Sequence, residues 1–508
     1  MTEARAPHSL QRIVIAGDGL AAWMAAAALA RAVRLDDYAI CVVGTGGEED
    51  HVSFGGADAT LPLPSGCHAA LELDENRLVA ETGATFTCGI ALSGWAAPGV
   101  TYFHPFGPIG ANLGPVPFHH LVMRLRSEGV PLRLANYSLA ALAAQAGRFA
   151  RPGKDARSVL STCRYGLHVD CTKLAGMLRT AALAAGIRLV SGLLQQVEYA
   201  NDGAVGAVIT NDGERLEGDL FLDCTGTEAR LIGTANDAGW EDWSAWLPCD
   251  RVLSARFGSA LSPPPYSHAE ANHAGWIRHL PLQGEAVLTA FYCGAFVSDD
   301  EAVRKLRESS GDGDLGAVRS ISPRFGRRNK AWHHNCIALG SAAGFIDPVA
   351  TSNLELLRAA IDRLLKLLPG DRVATAEAAE YNRQTSMHLD RARDFAVLHY
   401  KLNGRRGERL WDAFRETTVP ALLDYKMRLY QSRGRVAMYD EEPVDEMSWI
   451  NLFDEHGVRP HHYSPIADGF SAAELEAHVE RARTIMIDEL KKMPLHADYL
   501  SGLRRGGA

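Results

Sequence analysis

An α/β protein is expected, with a parallel sheet whose strands come from distant parts of the chain, an inserted β-sheet and a mainly helical C-terminal part. Three stretches carry that expectation. In Arg12 to Arg34 the apolar run Ile13 to Ala16 meets Gly17, Asp18 and Gly19, and an alanine-rich segment without proline continues for about four turns at ~3.6 residues each. Later, Leu220 to Gly226 (LFLDCTG) is a second apolar strand, ending in Asp-x-x-Gly. Strand alternation then recurs between Arg251 and Val297, most clearly over Ala286 to Tyr292.

The first stretch reads as strand, tight turn and helix. Gly17 permits an unusual φ, Gly19 lets the backbone approach a pyrophosphate, and Ala22 takes the third glycine's place, keeping helix and strand close. The N–H groups of Leu20, Ala21 and Ala22 would face the phosphates, and Trp23 either packs or touches the ligand. By itself G-x-G-x-x-A also fits an ordinary βα unit. Ala39 to Val43 is the second strand, and it ends at Gly44, where an acid for the ribose hydroxyls is expected. Glu48 and Glu49 follow, either reaching back or forming a solvated acidic loop.

Gly55 to Pro64 is a turn-rich loop, Gly83 to Trp95 a strand with a turn, and Tyr102 to Gly114, rich in aromatics, Pro and Gly, a loop over a site. Leu139 to Ala146 is a short helix, Leu167 to Ala185 a longer one, and Gly186 to Gln196 a strand. Val205 to Thr210 and Arg215 to Leu222 flank Asn211-Asp212-Gly213, a hairpin signal. The hairpin feeds Asp223 and Gly226, the pattern of a strand returning beside the first in two-dinucleotide flavoproteins. Ile337 to Asn353 is a strand, a small-residue turn at Gly340 and a Pro-containing approach, through Asp347 and Pro348, to a helix near Asn353. Thr351, Ser352 and Asn353 are N-cap candidates whose N–H groups would hold an anion or a flavin ring. Helices follow at Leu354 to Leu368, Ala374 to His399 and Ala472 to Lys492.

With 508 residues, 47% hydrophobic and 22% charged, the composition is that of a soluble globular protein. A net charge of -9 argues against nucleic-acid binding, and neither a signal peptide nor an apolar membrane span is seen. The nine cysteines are scattered, which fits small buried hydrophobes in a reducing compartment, so the cytoplasm is expected. No metal-ligand spacing stands out.

Several stretches, in order along nearly the whole chain, resemble the flavin-dependent tryptophan halogenase family. They are Gly17 to Met24, Asp58 to Pro62, Tyr102 to Gly107, Phe118-His119-His120, Tyr165 to Lys173, Asp219 to Gly226, Trp243 to Arg251, Gly275 to Leu282, Gly340 to Ile361 and Arg393 to Leu402. The resemblance implies a two-dinucleotide-binding, glutathione-reductase-like FAD fold over about residues 1–400, with a substrate-binding β region near 80–165 and 250–330 and a helical part at 401–508. It implies FAD reduced in trans by a flavin reductase, O2, a halide and a small aromatic substrate; the oligomeric state stays open, a homodimer being one alternative. Its cofactor set here is Gly17, Gly19, Leu20, Ala21, Ala22, Trp23, Asp223, Gly226, Gly340, Asp347, Pro348, Thr351, Ser352 and Asn353; its substrate set is His104, Phe106, Phe118 and His119.

In that family hypohalous acid formed at the flavin crosses a tunnel to a lysine, with a glutamate assisting, and a W-x-W-x-I-P signature lies between. Here Thr87 stands in Gly83-Ala84-Thr85-Phe86-Thr87 where the lysine is expected, and Ala350 replaces the glutamate. In Trp276-Ile277-Arg278-His279-Leu280-Pro281, Arg278 replaces the second tryptophan. Positioned acid–base groups are each worth ~10²–10⁴ in rate, so directed halogenation is expected to be lost. Three readings stay open: an oxygenating relative, a halogenase whose relay is rebuilt around Arg278, and a catalytically silent paralogue that acts as a binding or partner protein. His104, His119 and His120 serve either as acid–base groups or as packed histidines, and Arg278 either faces the site or points outward.

Overall fold

The computed structural model describes residues 10–46, 56–60, 74–233, 238–259, 262–311, 314–370 and 375–506. Glu48, Glu49 and half of the expected loop from Gly55 to Pro64 (residues 55 and 61–64) lie outside them. The central sheet has eight strands, with Arg12–Ala16 between Ala39–Gly44 and Leu220–Asp223 and Cys336–Ala338 next to the latter. These inner strands run parallel, in register Ala16 with Val43 and with Asp223. Covered on both faces, they are near-continuous apolar runs, as parallel strands must be. The helix Leu20–Ala32 is buried along its first ten residues and packs on the helices Cys171–Ala184 and Asn353–Lys366. Its alanines let those backbones come close.

A seven-stranded sheet is assembled from Gly89–Ser93 and Thr101–Pro105 together with four strands between residues 251 and 292 and the strand Arg319–Ile321. Its closure depends on Gly89–Ser93 pairing in parallel with Ser267–Asn272. A third sheet joins Ala57–Ala59, Gly166–Asp170 and Thr85–Thr87, and its strand Ala57–Ala59 lies against Gly275–Pro281 of the seven-stranded sheet. Beyond Lys401 the described elements are helices, the last of them His496–Gly506.

Three expectations are corrected. Leu167 to Ala185 is not one helix: Gly166–Asp170 is a strand, and Asp170 then caps Cys171–Ala184 by accepting from the Lys173 N–H. Tyr102 to Pro105 is a paired strand rather than loop, because its aromatic side chains pack in the core. Arg215 to Leu222 breaks in two, since Asp219 turns its carboxylate to the Gln11 and Arg12 N–H groups.

Candidate functional site

The turn after the first strand has the geometry a pyrophosphate needs. Gly17 has φ +127°, and a Cβ there would stand 2.4 Å from the Cys224 carbonyl oxygen, so only glycine lets the turn lie against the Leu220–Asp223 strand. Its N–H bonds the Val43 carbonyl (2.9 Å), pinning the turn to the end of the second strand. Gly19 is the N-cap of Leu20–Ala32; among the described residues no side chain caps this end, and no acid stands in its first turn. Trp23 is buried, its indole N–H donating to the Asp18 carbonyl (2.9 Å), so it braces the turn. A cavity of about 210 Å³ opens beside Asp18, Gly19, Leu20, Trp23, Thr172 and Arg179. An uncapped helix end, a glycine turn and an adjoining cavity fit the diphosphate of FAD.

Asp223 plays a different part from the turn. Its carboxylate accepts from the Thr225 N–H and hydroxyl and from the Leu231 and Ile232 N–H groups, so it shapes the following loop. Gly226 (φ +69°) and Gly340 (φ +63°) both take the left-handed conformation in neighbouring turns.

The second helix end, at Asn353–Lys366, is already filled. Ser352 caps the Glu355 N–H (3.2 Å), and Asp58 accepts from the Leu354 N–H and the Ser352 hydroxyl, both at 3.3 Å. Asn353 clamps the Ile346 backbone with both ends of its amide, and Thr351 donates to the Asp347 carbonyl. Behind Asp58 stands Arg278, with one guanidinium nitrogen 3.0 Å from its carboxylate and another on the Ala57 carbonyl. Arg278 is thus buried and ion-paired, not pointing outward. Burial pushes the Asp58 carboxyl up while Arg278 pulls it down. Asp347, after which Pro348 leads to the helix, accepts from the Tyr400 hydroxyl (2.6 Å) and lies near the Trp276 indole; burial pushes it up to about 6.

A cavity of about 610 Å³ reaches this helix end. Its wall includes His104, Phe106, Thr351, Ser352, Glu355 and the segment around Tyr439 and Glu442. Burial lowers His104 to about 4, so its ring is neutral at pH 7, and among the described residues its Nδ1 has no hydrogen-bond partner. The Oε1 of Glu355 and the Oε2 of Glu442 are likewise buried without partners. Phe118 and His119 are placed elsewhere. Phe118 packs on Tyr137, and the His119 ring lies tilted against His120 with its Nε2 at the Gly434 carbonyl.

Thr87 is buried, its hydroxyl donating to the Gly89 carbonyl (3.0 Å), and Ala350 is buried in an apolar core. The pairing of Asp58 with Arg278 escaped the sequence reading, as did Glu355 and Glu442. So did a grouping of His268, Glu270 and His279, whose ligand atoms lie within 4.8 Å of one another; strand pairing alone sets His268 opposite His279.

A profile of the tryptophan halogenase family matches residues 12–472. The chain is 27% identical over 488 residues to tryptophan 6-halogenase SttH of Streptomyces toxytricini, across 91% of this chain and 89% of that protein. It superposes on BrvH, a flavin-dependent halogenase from Brevundimonas sp. BAL3, with TM-score 0.92 and 35% identity, over 97% and 99% of the two chains. Xcc4156, a flavin-dependent halogenase from Xanthomonas campestris, gives TM-score 0.92 and 34% identity over 97% and 98%. With the glycine turn and the parallel sheet of an FAD-binding fold in place and a family match over nearly its whole length, the chain belongs to the flavin-dependent tryptophan halogenase family.

Proposed function

We propose that the protein is an FAD-dependent oxidoreductase that oxygenates a small aromatic substrate and does not direct a halide to it. The family works with FAD delivered in reduced form by a separate flavin reductase. When bound, the flavin supplies the electrons that activate O2. The observation that carries the proposal is the pair of side chains at the expected relay positions. Thr87 offers no cation and its hydroxyl is spent on backbone, and Ala350 offers no polar group. Arg278 does not replace the lysine in this reading, because its charge is neutralised by Asp58.

The remaining chemistry lies in the larger cavity. Phe106, Met438 and Tyr439 give it apolar and aromatic wall suited to an aromatic ring. His104 stays uncharged, and Glu355 and Glu442 add carboxylate side chains to the same wall.

The test supplies the purified protein with a flavin reductase, NADH, O2, chloride and a panel of tryptophan, indole and phenols, with products read by mass spectrometry. Expected are aromatic products carrying one added oxygen atom, some hydrogen peroxide, and no chlorinated tryptophan. One chlorinated tryptophan isomer above a no-enzyme control overturns the proposal. Flavin retention without any product would instead favour a binding protein.

A further inference from the structure

We propose that Asp18 supplies the carboxylate that receives the adenosine ribose hydroxyls of FAD, replacing an acid at the end of the second strand. The inference rests on FAD binding at the Leu20 helix. In a dinucleotide fold the second strand ends beside the ribose, and an acid there accepts from the 2′-hydroxyl. In this chain the strand Ala39–Gly44 ends in a buried glycine. The space a side chain would need is taken: a Cβ on Gly44 would lie 2.9 Å from the Asp18 Oδ2 and 3.5 Å from the Asp18 Cβ. The carboxylate has arrived from the neighbouring turn, and glycine at 44 is what admits it.

Two further observations support the exchange. The position of Asp18 is fixed from both sides, by the Gly17 N–H on Val43 and by the Trp23 indole on the Asp18 carbonyl. Asp18 is also exposed, lines the cavity of about 210 Å³ next to the phosphate turn, and makes no side-chain hydrogen bond or ion pair among the described residues. A carboxylate aimed at the helix end would repel a phosphate. Lying instead against the end of the second strand, it is set for a diol.

The experiment measures FAD affinity by flavin fluorescence quenching for the wild type, Asp18→Asn, Gly44→Glu and the double variant Asp18→Gly/Gly44→Glu, each checked for folding by circular dichroism. A hydrogen bond to a charged group is lost in Asp18→Asn, so FAD should bind roughly ten- to hundredfold more weakly. Gly44→Glu alone should also weaken binding, because two carboxylates then share one place, and the double variant should restore it. The wild type should prefer FAD over its 2′-deoxyadenosine analogue, and Asp18→Asn should not. Equal affinities for the wild type and Asp18→Asn overturn the role of Asp18 while leaving the flavin site standing. No measurable FAD binding by any folded form overturns both.

Discussion

Two helices that pack on one another begin in opposite ways. Leu20–Ala32 starts at Gly19 with no capping side chain and no acid in its first turn. Asn353–Lys366 starts with Ser352 as cap, Glu355 in the first turn and the Asp58 carboxylate on the Leu354 N–H, itself balanced by Arg278. Both ends carry the same partial positive charge and orphan N–H groups. One is answered by Ser352 and Asp58 and becomes structure; the other has neither a capping side chain nor an acid in its first turn among the described residues. The lesson is that a helix end becomes a binding feature only where the chain withholds its own anion.

The contrast breaks most visibly at Asp58. Asp58→Asn leaves the Arg278 charge buried without its counter-ion, so urea unfolding should show a loss of about 3–5 kcal/mol. Asp58→Asn combined with Arg278→Met should recover much of it; equal losses in the single and double variants would show that the pair is not the cause. At the open end the expectation reverses. Gly19→Val should leave the fold standing but put a side chain where the phosphates approach, weakening FAD more than about a hundredfold, the loss of several phosphate contacts. Unchanged affinity in folded Gly19→Val would remove the diphosphate from this helix. The smallest effect is at Ser352: Ser352→Ala should cost about 1 kcal/mol, since Asp58 still holds the Leu354 N–H.

The open end was legible in the sequence because its signal is local: an apolar run, two glycines and an alanine helix within about two dozen residues. The filled end was only half legible. Its N-cap candidates could be named from their residue types, but Asp58 and Arg278 are 220 residues apart and nothing local announces their meeting. The helical spacing of Leu174, Met177, Leu178 and Ala181 does not show where the helix starts, so Leu167 to Asp170 reads as part of it; Asp170, the cap, is the signal that separates strand from helix. His104 and Phe106 reach the larger cavity, whereas Phe118 and His119, matched by the same resemblance, are packed away from it. Residue type cannot tell those cases apart, because a buried histidine looks the same in either setting.

The interleaving of the sheets bears on how the chain is made. The Leu220–Asp223 strand waits for Cys336–Ala338 on one side, and Gly89–Ser93 waits for Ser267–Asn272. Even the small sheet is not finished early: His496, from the last helix, accepts from the Phe86 N–H and bonds the Pro263 carbonyl. Loop closure over such separations must be met before the contacts reward it, which slows folding. During synthesis the nascent chain therefore exposes unpaired strand edges until the strands that cover them have left the ribosome.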